Sequence, residues 1–240
     1  MFGFFIDYPY LLLVLPAVIF SLIASISVNT TFEKYQKQLS SRRITGAEAA
    51  RQVLDKIGLH SVAIRMTAGK LSDHYNPKDN TVYLSAAVHN STSTAAIGVA
   101  AHEAGHAIQH AKGYIPIKIR AAIIPVTNLG SRVALPLVMI GLLLDAFMAS
   151  PMGLAMVYVG AICFSLTTLF QLVTLPTEFN ASSRAMAALK QGEILTSSEL
   201  AGAGKVLTAA AMTYVAALAV SLAQLLRILL IASGRSGRRN

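Results

Sequence analysis

The sequence predicts a membrane protein, mainly α-helical with about four transmembrane helices, that carries a small α+β domain. Three observations lead there. Of the 240 residues, 54% are hydrophobic and only 13% charged, about half the charged fraction of an ordinary soluble domain. Several charge-poor stretches reach the roughly 20 residues that a hydrocarbon core demands. Between the first of them and the rest lies a polar stretch with short periodic elements, the mark of a domain inserted between membrane segments. The formal charge of +9 is accompanied by no DNA- or RNA-binding pattern, and its lysines and arginines stand beside apolar segments. The expected partner is therefore the lipid bilayer and not a nucleic acid. Cys163 is the single cysteine and lies in the apolar run GAICFSLTTLF, so no intrachain disulfide exists and it reads as a small hydrophobe.

Each element follows in order. No charge occurs between Asp7 and Glu33, and residues 8–28 read as the first transmembrane helix. A cleavable signal would need a basic leader and an A-x-A site, and neither is present. Residues 29–120 form the polar domain. TGAEAARQVLDKIGL has helical periodicity, a Thr45 cap with Glu48 three residues on, and Gly58 as a stop. SVAIRM, GKLSDHY and TVYLS are β-prone runs, the last two joined by the turn-forming NPKDN, so a small sheet ending in a hairpin is expected. STST then caps a helix from about Thr94 to Ala111, with Gly113 beyond its end.

Arg120, Arg132 and Asp145 interrupt the next apolar region. Residues 133–175 read as a transmembrane hairpin turning at ASPMG, with Asp145 near the turn, Arg132 snorkelling at the near interface, and residues 114–131 lying along the membrane surface. Residues 176–205 are again polar, with one helix to about Lys190 and another opening at a Thr196–Glu199 capping box. Residues 206–231 are the fourth span, with Arg227 snorkelling at its end, and 232–240 are a flexible basic tail. Four spans put both polar segments on one side. Near the membrane ends that side carries ten lysines and arginines, from Lys34 to Lys205, against Arg235, Arg238 and Arg239 on the other. The asymmetry places the polar segments in the cytoplasm.

Within the helix of residues 94–111 stands VAAHEAGHAIQH. His102, Glu103 and His106 match H-E-x-x-H, in which two imidazoles one turn apart converge on a Zn²⁺ and the glutamate serves as general base toward the attacking water. Gly98, Ala101 and Gly105 are small enough to let a partner helix approach. His110 is two turns, about 12 Å, from His102, too far for one ion, and reads as peripheral. The third ligand must come from elsewhere, and Glu178 is the candidate, sharing a helical face with the small residues Ala181, Ser182 and Ala185. His60, His74, His89, Glu193 and Glu199 are the alternatives. Such a site hydrolyses peptide bonds, with Glu103 passing its proton to the leaving nitrogen. A substrate backbone could add to an exposed sheet edge, for which TVYLS is the expected strand.

LSDHYNPKDNTVYLS, AIGVAAHEAGHAIQHAKGYIPIKIR and LPTEFNASSRA together resemble the YugP-like membrane zinc metallopeptidases of prokaryotes, over residues 60–190. The resemblance implies a gluzincin-like site in a zincin-like domain, with one zinc held by His102, His106 and Glu178 and with Glu103 as base. It also places the SDHY segment, including His74 and Tyr75, near the cleft. Related zinc proteases often carry an aspartate four residues after the glutamate ligand, where this chain has Ser182, which leaves a zinc histidine to be oriented by some other group; Arg184 is a further candidate neighbour. The expectation is a zinc endopeptidase in the prokaryotic plasma membrane that acts on membrane proteins in quality control or processing. The rival from another class is a non-catalytic scaffold or binding protein with a structural metal, which has no need of Glu103. A protease acting inside the bilayer is disfavoured by the polar surroundings, 91–94 and 109–112, of the HEAGH helix.

Overall fold

The computed structural model describes residues 7–69, 72–148 and 151–236. Lys70 and Leu71 of the expected GKLSDHY strand, Ala149 and Ser150 of the expected ASPMG turn, and residues 237–240 of the expected tail lie outside the described residues. Four helices are long and apolar enough to cross a membrane. The chain divides into two compact units, one made of residues up to Ile23, Ile119–Thr174 and from Tyr214 onward, the other of Ala24–Lys118 and Leu175–Thr213.

The first unit is all helical. Asp7 Oδ1 accepts the Tyr10 N–H at 2.7 Å, and a π turn over Tyr10–Val14 leads into α1, Leu15–Gln36. The other long helices are α5 (Ile115–Met148), α6 (Pro151–Gln191) and α7 (Ser197–Ser236). Three expectations are corrected here. Residues 114–131 do not form a separate segment but open α5, which runs on through Pro125 and Pro136. The break expected after Leu175 is absent, since α6 continues through Pro176. The helix from Ser197 and the fourth span are one helix. In a bilayer the helix is the arrangement that satisfies its own backbone, so a proline that would end a soluble helix is carried within one.

The arginines were also misread. Arg227 does not snorkel: its Nε and Nη2 bind both carboxylate oxygens of Asp7 at 3.0–3.1 Å, and its guanidinium lies 5.2 Å from the Tyr10 ring centroid. Arg235, expected in a flexible tail, bonds Asp145 Oδ2 and the Leu142 carbonyl, each at 3.1 Å, and the helix extends through it to Ser236. Charged groups in apolar surroundings lower their cost by pairing. Between α5 and α6, a Cβ on Gly141 would stand 2.6 Å from the Gly153 carbonyl oxygen, so these helices touch backbone to backbone.

The second unit carries the sheet and the HEAGH helix. α2 (Gly46–Lys56) begins at a capping box in which Thr45 and Glu48 bond each other's backbone N–H, and its C-terminal end is followed by Gly58 at φ +79°. The sheet has the order β1–β3–β2, with β1 (Ala63–Thr67) parallel to β3 (Thr81–Ser85) and β2 (His74–Asn76) antiparallel to it. The β2–β3 turn begins with the Lys78 N–H on Asn76 Oδ1 at 3.1 Å and passes through Asn80 at φ +52°. TVYLS is therefore the central strand, paired on both sides, and the expectation of a free edge there is wrong. Its four-in-five buried residues explain the placement: Val82 and Leu84 face the core made by Ala49, Val53 and Leu54 of α2. A short helix α3 (Ala86–His89) leads to α4 (Thr94–Ala111), whose Ser93 side chain accepts the Ala96 N–H. The chain after α1 clamps the start of α4 through Thr94 N–H to Gln38 O (2.8 Å) and Ser40 N–H to Thr92 O (2.9 Å).

Candidate metal centre

α4 is alanine-rich and buried along most of its length. Its small residues decide what approaches it. A Cβ on Gly98 would lie 3.1 Å from Ala203 Cβ of α7, and one on Gly105 would lie 2.6 Å from the Ala181 carbonyl oxygen of α6. Only a residue without a Cβ lets α6 lie this close. Glu178 is one helical turn before Ala181, so this approach delivers its carboxylate to the histidine face of α4.

His102 Nε2 stands 3.2 Å from Glu178 Oε2, and His106 Nε2 stands 3.6 Å from the same oxygen. The two imidazoles meet edge to face, with centroids 4.8 Å apart, and the three ligand atoms all lie within 4.8 Å of one another. Tetrahedral ligands 2.0–2.1 Å from a zinc ion are about 3.3 Å apart, so the spacing suits that ion. The far ring nitrogens are held as well. His106 Nδ1 meets Gln109 Oε1 at 3.0 Å, while Gln109 Nε2 donates to the Thr177 carbonyl at 2.8 Å and to Asn180 Oδ1 at 3.0 Å. With both amide hydrogens engaged, Gln109 can only accept from His106, so Nδ1 carries a proton and the Nε2 lone pair faces Glu178. His102 Nδ1 meets Ser182 Oγ at 3.0 Å. Both rings are thus oriented as metal-binding imidazoles usually are.

The electrostatics favour a cation. Burial lowers the pKa of His106, but the Glu178 hydrogen bond, the charges of Glu103 and Glu178, and the Gln109 contact outweigh it and raise the group above its ordinary value. Glu178 is 2% exposed and Glu103 8%, and buried carboxylates are costly unless paired or coordinating a metal. The donor set of two imidazoles and a carboxylate is one that zinc accepts while leaving a position for water or substrate.

A family model described as "Putative neutral zinc metallopeptidase" matches residues 10–233. The chain belongs to this metallopeptidase family. It is also 43% identical, over 222 residues, to the "Putative membrane protease YugP" of Bacillus subtilis (strain 168), an alignment covering 92% of this chain and 96% of that protein. No solved structure matches. The family implies zinc, and the cluster of His102, His106 and Glu178 is compatible with it.

Among the described residues, these three form the metal-capable group, and the alternatives to Glu178 are engaged differently. His60 pairs with Asp55, His89 with Asn90, and Glu199 with the Ser41 and Thr196 N–H groups. His74 is exposed, with Nδ1 on the Ser72 carbonyl and its ring stacked on Tyr83. Tyr75 bonds Asn80 Oδ1 and packs its ring 5.4 Å from that of His110, which ties β2 to the metallopeptidase's HEAGH helix. Asp73 of the same segment accepts the Ser85 N–H and hydroxyl, locking the start of β2 to the end of β3. Ser182 holds His102 itself, so its hydroxyl occupies the part that the absent aspartate plays in relatives. Arg184 donates to Asn180 Oδ1 at 2.7 Å and covers the Tyr114 ring. Gln109 and Asn180 were missed from sequence. Gln109 was detectable, since it lies three residues after His106 on the same helical face; Asn180 was not, because its role depends on the meeting of α4 and α6.

Proposed function

We propose that the chain is a membrane-bound zinc endopeptidase in which His102, His106 and Glu178 hold one Zn²⁺ and Glu103 is the general base. The observation that carries this reading is the convergence of both Nε2 atoms on Glu178 while both Nδ1 atoms are held by side chains. When bound, zinc supplies Lewis acidity toward the scissile carbonyl and the attacking water. Glu103, one residue on from His102 on the same helix, takes a proton at its carboxylate from that water and delivers it to the leaving nitrogen. Ser182 and Gln109 keep the imidazoles in the metal-binding tautomer. The free sheet edges are the outer sides of β1 and β2, and β2 is the one tied to α4 through Tyr75 and His110. An extended peptide adding along β2 is therefore the favoured substrate pose.

The polar segments 29–120 and 176–205 form the zincin-like catalytic part. It faces the cytoplasm of a prokaryotic cell from the plasma membrane, on the ten-to-three bias of basic residues. Glu178 follows Leu175, the end of an apolar run, by three residues, which favours membrane proteins and their exposed segments as substrates in quality control or processing. The test is zinc content by elemental analysis beside casein hydrolysis. His102→Ala and Glu178→Ala lose the metal. Glu103→Gln keeps it while hydrolysis falls by roughly 10²–10⁴-fold. Correctly folded protein that takes up no zinc, or a Glu103→Gln variant with full activity, overturns the reading.

A further inference from the structure

A second feature stands apart from the metal centre, in a groove of about 410 Å³ between α1 and α7. On α1 its wall is Ser27, Thr31 and Lys34, at spacings of four and three residues; on α7 it is Lys205, Thr208 and Met212, at spacings of three and four. These spacings put each trio on a single helical face. No carboxylate lines the groove, and among the described residues neither lysine belongs to an ion pair. Lys34 Nζ lies 5.6 Å from the Tyr35 ring centroid, which steadies it without neutralising it.

The groove is graded. Lys34 lies just beyond the charge-free stretch between Asp7 and Glu33, and Lys205 immediately precedes the charge-free stretch Val206–Leu226. On both helices the hydroxyls stand on the apolar side of the lysine, and Met212 lies further into the apolar sequence. Two ammonium groups, then hydroxyl donors, then hydrocarbon match an anionic phospholipid: phosphate, glycerol and ester region, acyl chain. Basic clefts between membrane helices on the cytoplasmic side suit such headgroups, and a soluble anion would leave the apolar part of the groove unused. We propose that this groove is a binding site for one anionic phospholipid of the bilayer, held by Lys34 and Lys205 through its phosphate.

The test uses the full chain in phosphatidylcholine nanodiscs with increasing phosphatidylglycerol, counting retained lipids by native mass spectrometry. The wild type retains phosphatidylglycerol in preference to phosphatidylcholine. Each lysine near an anionic surface contributes about fivefold, so Lys34→Gln/Lys205→Gln lowers that preference by roughly 30-fold, while the charge-matched control Lys78→Gln/Lys190→Gln keeps it. Thr208→Trp fills the groove without changing charge and also lowers the preference, a result that diffuse surface attraction would not produce. An unchanged preference in the double lysine variant or in Thr208→Trp, or an equal loss in the control, overturns the proposal. So does displacement of the lipid by millimolar inorganic phosphate, which would mark a free-anion site.

Discussion

Gly105→Ala should weaken zinc binding although it touches neither the metal nor a ligand. The new Cβ would lie 2.6 Å from the Ala181 carbonyl oxygen, and 3.2 Å and 3.3 Å from the Ala181 C and Cα. Ordinary contact begins near 3.4 Å, so α6 must withdraw by about 0.8 Å, whereas metal–ligand distances tolerate roughly 0.2 Å. Glu178, one turn away on the same helix, is carried outward with Ala181. Overpacking of this kind costs about 1–3 kcal/mol, and if it falls on the metal site, affinity drops by on the order of 10–100-fold. Alanine also gains nearly 1 kcal/mol of helix propensity over glycine, so thermal stability alone would mask the effect, and affinity is the quantity to measure. The assay is a zinc titration against a competing chelator on detergent-purified protein. Gly204→Ala is the control, since its Cβ would meet only the flexible Met186 side chain at an ordinary 3.4 Å. Wild-type affinity in Gly105→Ala would refute the idea that the approach of α6 at this glycine sets the position of Glu178.

Other consequences are open to equally direct checks. Ser182→Ala and Gln109→Leu each remove the partner of a ring Nδ1, and each should lower zinc affinity by roughly 10–100-fold; in Gln109→Leu the Thr177 carbonyl and Asn180 also lose a donor, so its thermal midpoint should fall further than that of Ser182→Ala. Chelation should lower the melting temperature of the wild type by the loss of linked binding, about 4 kcal/mol at a thousandfold excess over Kd, and leave His102→Ala unmoved. For Glu199, burial raises the pKa, but hydrogen bonds from Thr196 and Ser41 outweigh it and hold the group below the ordinary carboxyl range. A depressed folded value means that its stabilisation is complete above the unfolded carboxyl pKa and is lost as pH falls through the folded one. Glu199→Gln should therefore melt below the wild type at pH 7, with the gap closing in acid; a gap independent of pH would refute the ionic contribution.

Much of this molecule was legible in sequence wherever neighbouring residues decide the outcome. The Thr45–Glu48 box, the Thr196–Glu199 box, the left-handed Gly58 and Gly113, the limits of α4 and the β2–β3 hairpin depend on groups a few residues apart. The four apolar stretches follow from composition, since a bilayer imposes one length requirement on every span. The spacing of His102 and His106 places them on one face of any helix. Tertiary structure decided the rest. TVYLS became the central strand because Val82 and Leu84 are needed in the core under α2, a relation between residues tens of positions apart. α5 and α6 ran through their prolines because apolar surroundings offer the backbone no better partner than its own helix. Arg227 and Arg235 found carboxylates on other helices in place of solvent. Glu178 met the histidines because Gly105 and Ala181 bring two backbones into contact, and Ser182 and Gln109 became partners of the imidazoles only through that meeting. Local pattern names the groups able to hold a metal, but how far apart they stand is set by how closely two helices can pack, which no single stretch of chain contains.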